Sequence, residues 1–340
     1  MITLEDNYLV FRFPEIEENA SFSIDFQRTL RIPDTEKTYP LPPGLGNFPL
    51  RHTEDFEATL PKNITEKGGI ILPMWQAEAM WLNFSSNAPG LPDFPVAIKV
   101  ASGKINAVTG DPWQSALQRD PQDYMVSPKQ PWLDGFAVEK GVVRQFVAMP
   151  LSEGYTAEEQ LTGEAKWGGI QISVTPLKRS VWKDLVDMEF GIIREDLLRL
   201  NDEEISPMGF AAGGRMKQEI FTDTFNLEDW DQEATQRVFV SILNTNNWKK
   251  IVQDADLTAP PSAEDYNAAG LPWFEYYGHD WQALSGSQKL SDLESLAQIH
   301  NKKTGSVLPG STDLTVQKKS TLNKYPISPL RKIKNSDSWV

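Results

Sequence analysis

The chain has 340 residues and a formal net charge of −14; 40% of its residues are hydrophobic and 24% are charged, which is typical of a globular protein. The acidic balance argues against a nucleic-acid-binding protein, because phosphate contacts need a basic surface. The sequence contains no cysteine, which excludes disulfides, thiolate metal sites and cysteine nucleophiles. Neither a secretory leader nor a membrane span is predicted, so we expect a cytoplasmic protein.

Residues 1–180 show the pattern of many short strands separated by proline and glycine turns. The alternation is clear in SFSIDFQRTLRI (21–32), and further strands are predicted at 8–14, 68–75, 78–84, 95–101, 104–108, 123–126 and 142–150. GGIQISVTPLK (168–178) also alternates, which predicts one buried face and one face toward water or a cleft. We therefore expect a β-rich α+β fold in which residues 1–180 form a sandwich-like antiparallel sheet pair.

The pattern becomes mixed beyond residue 180. Helices are predicted at 180–204 and 290–300, a buried strand at 237–245, and a glycine-rich loop at SPMGFAAGGRMKQEI (206–220). We expect residues 181–300 to form a mixed, partly helical portion packed on the sandwich. Residues 301–340 are expected to be an extended basic tail, because residues 317–335 carry six basic residues and no acid. Docking of this tail on an acidic or membrane surface is one hypothesis for its role.

The stretch RQFVAMPLSEGYTAEEQLTG (144–163) predicts a core strand that leads into a helix. Thr156 and Glu159 have the spacing of a capping box, in which each side chain accepts a backbone N–H of the other residue. Glu158 and Glu164 are then left over, and with Asp123 they are the candidate acids of a glycosidase-like hydrolase. Acids on a solvated helix face are common, so the strand-to-helix interpretation is favoured over catalysis.

A polar surface is predicted where the turns GKINAVTGDPW and DPQDYMVSPKQPWLDG lie beside the strand that begins near residue 142. Loops at one end of a rigid β scaffold are where binding residues gather, although hairpin turns are rich in polar residues in any case. The candidate ligand-binding residues are Lys104, Asn106, Gln122, Tyr124, Trp132, Arg144 and Gln145.

Motifs for metal, phosphate and serine chemistry are absent from the sequence. It contains no HExxH, no GxSxG and no GxxxxGK[ST], so we expect neither a metal site nor a cofactor. His279, beside Asp280, is a candidate for a carboxylate–histidine pair, but a packed loop histidine is the favoured interpretation. The eleven tryptophans are either core aromatics, which is favoured, or platforms for sugars or bases.

Five runs carry a resemblance to a known family: QDYMV…QPWLDG, RQFVAMPL…GYTAEEQLTG, GGIQISVTP, GGRMKQEI and GLPWFEYY. They resemble a family of uncharacterised proteins found in bacteria and fungi that has no assigned activity. The likeness covers residues 5–300 and leaves the tail outside. It implies a self-standing folded unit, and Ser152 stands where the family pattern leads us to expect a glycine.

We therefore expect a non-catalytic binding or assembly protein. It would present an aromatic and polar surface to a protein partner, to a second copy of itself, or to a small polar ligand such as a sugar. The alternative is the carboxylate-based hydrolase that uses acids near residues 144–164.

Overall fold

The computed structural model describes residues 1–189, 208–253, 257–276 and 282–322. Within these ranges the chain forms two large sheets that pack face to face, with short helices at the ends and sides. The predicted β-rich α+β sandwich is therefore confirmed.

The first sheet contains ten strands within the described residues: β1 (Ile2–Glu5), β2 (Tyr8–Arg12), β3 (Ser21–Thr29), β4 (Thr38–Tyr39), β5 (Gly44–Asn47), β8 (Ala79–Asn87), β12 (Trp132–Leu133), β13 (Gly135–Glu139), β14 (Val142–Met149) and β16 (Gly209–Lys217). Its main path runs β1-β2-β3-β8-β14-β16-β4, and β5, β12 and β13 pair with β3, β8 and β14. Every pairing in this sheet is antiparallel except that of β16 with β4.

The second sheet contains seven strands within the same residues: β6 (Arg51–His52), β7 (Ile70–Met74), β9 (Val96–Ser102), β10 (Ile105–Asn106), β11 (Met125–Ser127), β15 (Ile170–Pro176) and β17 (Gln236–Asn244). Their order is β10-β9-β15-β17-β7-β6, with β11 beside β9, and only the β17–β7 pairing is parallel. A separate parallel ribbon consists of β18 (Trp273–Tyr276) and β19 (Lys319–Leu322).

Seven α-helices fall within the described ranges: α1 (Lys62–Thr65), α2 (Ala157–Thr162), α3 (Arg179–Glu189), α4 (Thr245–Ile251), α5 (Ala263–Ala268), α6 (Gln288–Ser291) and α7 (Leu296–Thr304). None of the helices in this part of the chain is long and apolar enough to cross a membrane. The predicted capping box of Thr156 and Glu159 is confirmed at α2. The single helix predicted at 290–300 is wrong, because Ser295 forms a new capping box with Gln298 and starts α7.

The core lies between the two sheets and follows from strand alternation. Phe22, Ile24 and Phe26 of β3 belong to the same buried cluster as Ile170 and Ile172 of β15. Both sheets draw strands from either side of residue 180, since β16 pairs with β14 and β17 pairs with β15. The proposed division into residues 1–180, 181–300 and 301–340 stays a prediction, and the predicted helix beyond Glu189 and the tail beyond residue 322 lie outside the described residues.

The glycine-rich loop predicted at 206–220 is wrong, because most of it forms β16 in the first sheet. Its glycines serve close packing: a Cβ at Gly213 would lie 2.5 Å from Val147 Cγ2, and one at Gly214 would lie 2.5 Å from the Pro33 carbonyl oxygen. Glycine in a strand can mark such close approach rather than a loop.

The outer faces of the sheets are covered unequally. Residues of α5, α7 and β18 bury the β14–β16–β4 side of the first sheet, whereas β3 and β8 expose part of their outer face. On the second sheet, Leu117, Phe225 and Trp230 pack with Ala97 of β9 and with Leu177, which follows β15, and residues 232–234 contact β15 itself. All seven residues of β15 are consequently buried, so the prediction of a water-facing side for this strand is wrong.

Candidate ligand-binding site

The candidate site is the uncovered part of the first sheet's outer face, which we call the open face. Register places its side chains in two rows across neighbouring strands, because directly opposed residues of antiparallel strands share a face. Their sequence neighbours Phe26, Leu82 and Leu133 belong to the core, so these side chains point outward. One row is Asp25, Asn83 and Trp132; the other is Asn47, Gln27 and Trp81, with Asp134 beside Trp132.

Asp25 organises the amides of the open face. Its side chain is 1% exposed, and its two carboxylate oxygens accept hydrogen bonds from Asn83 Nδ2 at 2.8 Å and from Gln27 Nε2. Burial raises the pKa of Asp25, and the hydrogen bonds from Asn83 and Gln27 oppose that rise. Asn83 Oδ1 and Gln27 Oε1 accept no hydrogen bond from any described residue. The buried carboxylate therefore orients two amides whose carbonyl oxygens can accept from a ligand.

Asp134 fixes the indole of Trp132. Trp132 Nε1 donates to Asp134 Oδ2 at 2.5 Å, and the backbone N–H of Asp134 donates to Gln218 Oε1 at 2.9 Å. Asp134 is 4% exposed, and burial raises its pKa to about 7 although the indole N–H favours the carboxylate. Gln218 and Gln130 both donate to the Trp132 carbonyl, so hydrogen bonds fix both the indole and the backbone of Trp132.

The two tryptophans of the open face are close neighbours. Trp132 lies opposite Asn83, and Trp81 is two residues from Asn83 on the same strand. The Cα atoms of such diagonal neighbours are about 7–8 Å apart, so long side chains on them can reach one another. Trp81 is half-buried, and a Cβ at Gly44 of β5 would lie 3.5 Å from its ring, which is an ordinary contact, and 3.2 Å from Gln27 Oε1. The glycine therefore leaves space beside Gln27 Oε1.

Four of the residues predicted from sequence lie together in the interior, more than nine-tenths buried: Asn106, Gln122, Asp123 and Tyr124. Asp123 pairs with the fully buried Lys99 ammonium at 2.7 Å, and burial still raises the pKa of this acid. Tyr124 donates to Asp223 Oδ2 at 2.7 Å; burial, and then this hydrogen bond, raise the pKa of the phenol. These contacts tie the 106–124 segment to residues 221–223.

The other predicted ligand-binding residues are dispersed. Gln145 lies on the outer face of β14, and its amide bonds the backbone of Leu30 and Ile32. Arg144 donates through Nη1 to the Leu293 carbonyl at 2.6 Å, and its buried Nε has no acceptor among the described residues. Lys104 lies beside the second sheet, near Glu158. Of this set, only Trp132 contributes to the open face.

The three predicted catalytic acids occupy three different environments. Glu158 is buried and accepts backbone N–H groups from Trp167 at 3.0 Å and Gly168 at 2.8 Å, whereas Glu164 is exposed. Asp123 belongs to the interior ion pair described above. The hydrolase stays a prediction, and His279 lies outside the described residues. In the described ranges no group of three or more histidine, aspartate or glutamate side chains could hold a metal ion.

Sequence reasoning missed most of the open face. The alternation in SFSIDFQ did place Asp25 on the polar side of its strand, and that was the available signal. The pairing of Asp25 with Asn83, and of Asn83 with Trp132, joins residues 58 and 49 positions apart in the chain. Periodicity within one strand carries no information about such pairing.

No family model matches the chain, and neither the curated proteins nor the solved structures contain a match. The resemblance to a family of uncharacterised bacterial and fungal proteins therefore stays a prediction. Function is inferred below from the geometry of the open face.

Proposed function

We propose that this protein binds an uncharged, polyhydroxylated ligand, such as a sugar ring of an oligosaccharide, on the open face, and that it does not transform it. The supporting observation is that Trp81 and Trp132 flank the side-chain carbonyl oxygens of Gln27 and Asn83, which accept no hydrogen bond from any described residue. The Trp81 indole offers an apolar surface to the C–H face of a ring, and the amide carbonyls accept its hydroxyl protons.

The charge of the open face supports a neutral ligand. It contains two carboxyl groups, Asp25 and Asp134, and none of its seven side chains is basic. An anion would meet repulsion there. A purely apolar ligand would cover the carbonyl oxygens of Gln27 and Asn83 without pairing them, which costs about 1–3 kcal/mol for each group. A ring that carries hydroxyl groups meets both requirements.

The shape of the open face supports binding rather than catalysis. The side chains stand on a sheet surface, so one side of a bound ring stays in water, and we expect weak affinity, with a Kd of about 0.1–1 mM. Both carboxyl groups already accept N–H groups, and they act here as positioning residues for the amides and for the Trp132 indole. A protein partner, a second copy of the chain and a cytoplasmic location stay predictions from the sequence.

The test is calorimetric titration with a panel of hexasaccharides built from glucose in α1,4, β1,4 and β1,3 linkage, from xylose and from N-acetylglucosamine. We expect at least one member to bind, and Trp81→Ala and Trp132→Ala each to weaken that binding about tenfold, which is a loss of about 1.4 kcal/mol. The matched control is Trp113→Ala, because Trp113 is also half-buried but lies against the second sheet.

Binding to no member of the panel, or equal binding by wild type and both open-face variants, would overturn the proposal. Shorter sugars released during prolonged incubation with the wild-type protein would contradict its non-catalytic part and favour the hydrolase.

A further inference from the structure

Three glycine turns meet at one end of the second sheet, and each carries a lysine. Lys67 precedes Gly68 and Gly69, Lys104 follows Gly103, and Lys166 with Trp167 precedes Gly168 and Gly169. All five of these glycines have positive φ angles, which other residues rarely adopt. We call Lys67, Lys104, Lys166 and Trp167 the lysine turns.

The three ammonium groups surround one indole. The distances from Nζ to the centroid of the Trp167 ring are 4.0 Å for Lys104, 5.7 Å for Lys166 and 5.8 Å for Lys67. Lys67 Nζ also lies 4.9 Å from the Phe239 ring and donates to the Trp167 carbonyl at 2.5 Å. Cation–π attraction therefore gathers three positive charges on the lysine turns.

The glycines and Glu158 build this arrangement. A Cβ at Gly103 would lie 2.3 Å from Glu158 Oε2, and one at Gly69 would lie 2.1 Å from the Phe239 carbonyl oxygen, so neither turn tolerates a larger residue without a shift. Glu158 accepts the N–H groups of Trp167 and Gly168, and the Gly103 N–H donates to the Gly169 carbonyl. Backbone hydrogen bonds thus fix the turns from which the lysines project.

None of the three lysines of the lysine turns forms a salt bridge with any described residue. Burial lowers the pKa of Lys67, and the negative charge of Glu158 opposes this. In a protein of net charge −14, these three lysines bring positive charge together around one indole.

We infer that the lysine turns are a second binding site, which takes the phosphate group of a small molecule. Ammonium groups are compact point charges that suit phosphate oxygens, and a phosphate dianion is attracted by all the lysines near it. The lysines lie over the Trp167 ring, so charge rather than ring stacking selects the ligand. This chemistry is opposite to that of the open face, and the inference does not depend on the function proposed for that face.

The test is calorimetric titration with glycerol 3-phosphate, inorganic phosphate and sulfate, using wild type and the double variant K67M/K104M. We expect the phosphate ester to bind with an affinity that falls as salt rises, and the double variant to lose at least tenfold in affinity. Inorganic phosphate that binds as tightly as the ester would assign the site to free phosphate. Lys302→Met is the control, because Lys302 is an exposed lysine paired with Glu294.

Failure of both phosphate probes to bind, equal binding of sulfate, or unchanged binding by K67M/K104M would overturn the inference. The double variant changes only side chains beside the turns, and a thermal melt checks that it is folded. A second readout is the emission of Trp167, which we expect to change on phosphate binding in wild type and in Trp81→Phe, but not in Trp167→Phe.

Discussion

The open face and the lysine turns use the same residue types in opposite ways. On the open face, buried Asp25 and Asp134 hold side-chain N–H groups, and no cation lies over Trp81 among the described residues. At the lysine turns, buried Glu158 holds backbone N–H groups, and cations cover Trp167. The groups around a tryptophan or a buried acid, rather than the residue itself, therefore decide which ligand a surface suits.

We expect the greatest loss of stability where a buried acid that pairs with a cation is replaced, and a smaller loss where the buried acid has no cation beside it. Asp123→Asn leaves the fully buried Lys99 ammonium without its carboxylate, which we expect to lower the free energy of unfolding by about 3–5 kcal/mol. Asp25→Asn removes a carboxylate that is held by amides alone, and we expect a loss of about 1–2 kcal/mol. Urea denaturation measures both, and a larger loss for Asp25→Asn would contradict this ranking.

The stability of a Gly103 variant tests whether the glycine turns depend on close packing. We expect Gly103→Ala to lower the free energy of unfolding by about 1–3 kcal/mol, because its Cβ meets Glu158 at a backbone angle of φ +57°. It should also weaken phosphate binding while sugar binding persists. Gly163→Ala is the matched control, because Gly163 has φ +73° and open space around its Cβ. Equal losses in the two variants would show that strain alone, and not contact with Glu158, is at work.

A third effect is a pH dependence specific to the open face. The folded pKa of Asp134 is raised to about 7, whereas an unfolded aspartate titrates near ~3.9. The folded state therefore holds a proton that the unfolded state has lost between pH ~4 and ~7, so stability falls as pH rises through this window, by about 1.4 kcal/mol per pH unit. Other buried acids also have raised pKa values, among them Asp25, Asp34 and Glu78.

The difference between wild type and Asp134→Asn in urea denaturation isolates the contribution of Asp134. Asp292→Asn, at an exposed position on the C-cap of α6, should keep the wild-type slope. If the stability of Asp134→Asn falls with pH as steeply as that of wild type, Asp134 does not cause the pH dependence.

Local patterns predicted much of the fold. The alternation of β3 and β15 and the capping box of α2 depend on neighbours in sequence, and the structure has all three elements. β16 was missed because its glycines resemble a loop, although they serve close packing against Val147 and Pro33. The burial of β15 on both faces depends on distant segments that cover it, which its own periodicity does not encode.

The two proposed sites were harder to predict from the sequence than the fold. Lys104 and Glu158 were recognised as candidates, but their meeting with Lys67 and Trp167 depends on three turns that are distant in sequence. On the open face only Trp132 was recognised, because the face exists only once β3, β8 and β12 are paired. Which strands pair, and in which register, depends on contacts between segments that are distant in the chain. A single sequence does not show these contacts.

NMR of the tryptophan indole N–H groups tests whether the two surfaces bind different ligands. Single Trp→Phe variants at 81, 132 and 167 would assign their three resonances. We expect the hexasaccharide that binds to shift the signals of Trp81 and Trp132, and glycerol 3-phosphate to shift that of Trp167 alone. Both ligands shifting the same set of signals, or neither ligand shifting any of these three, would contradict this expectation.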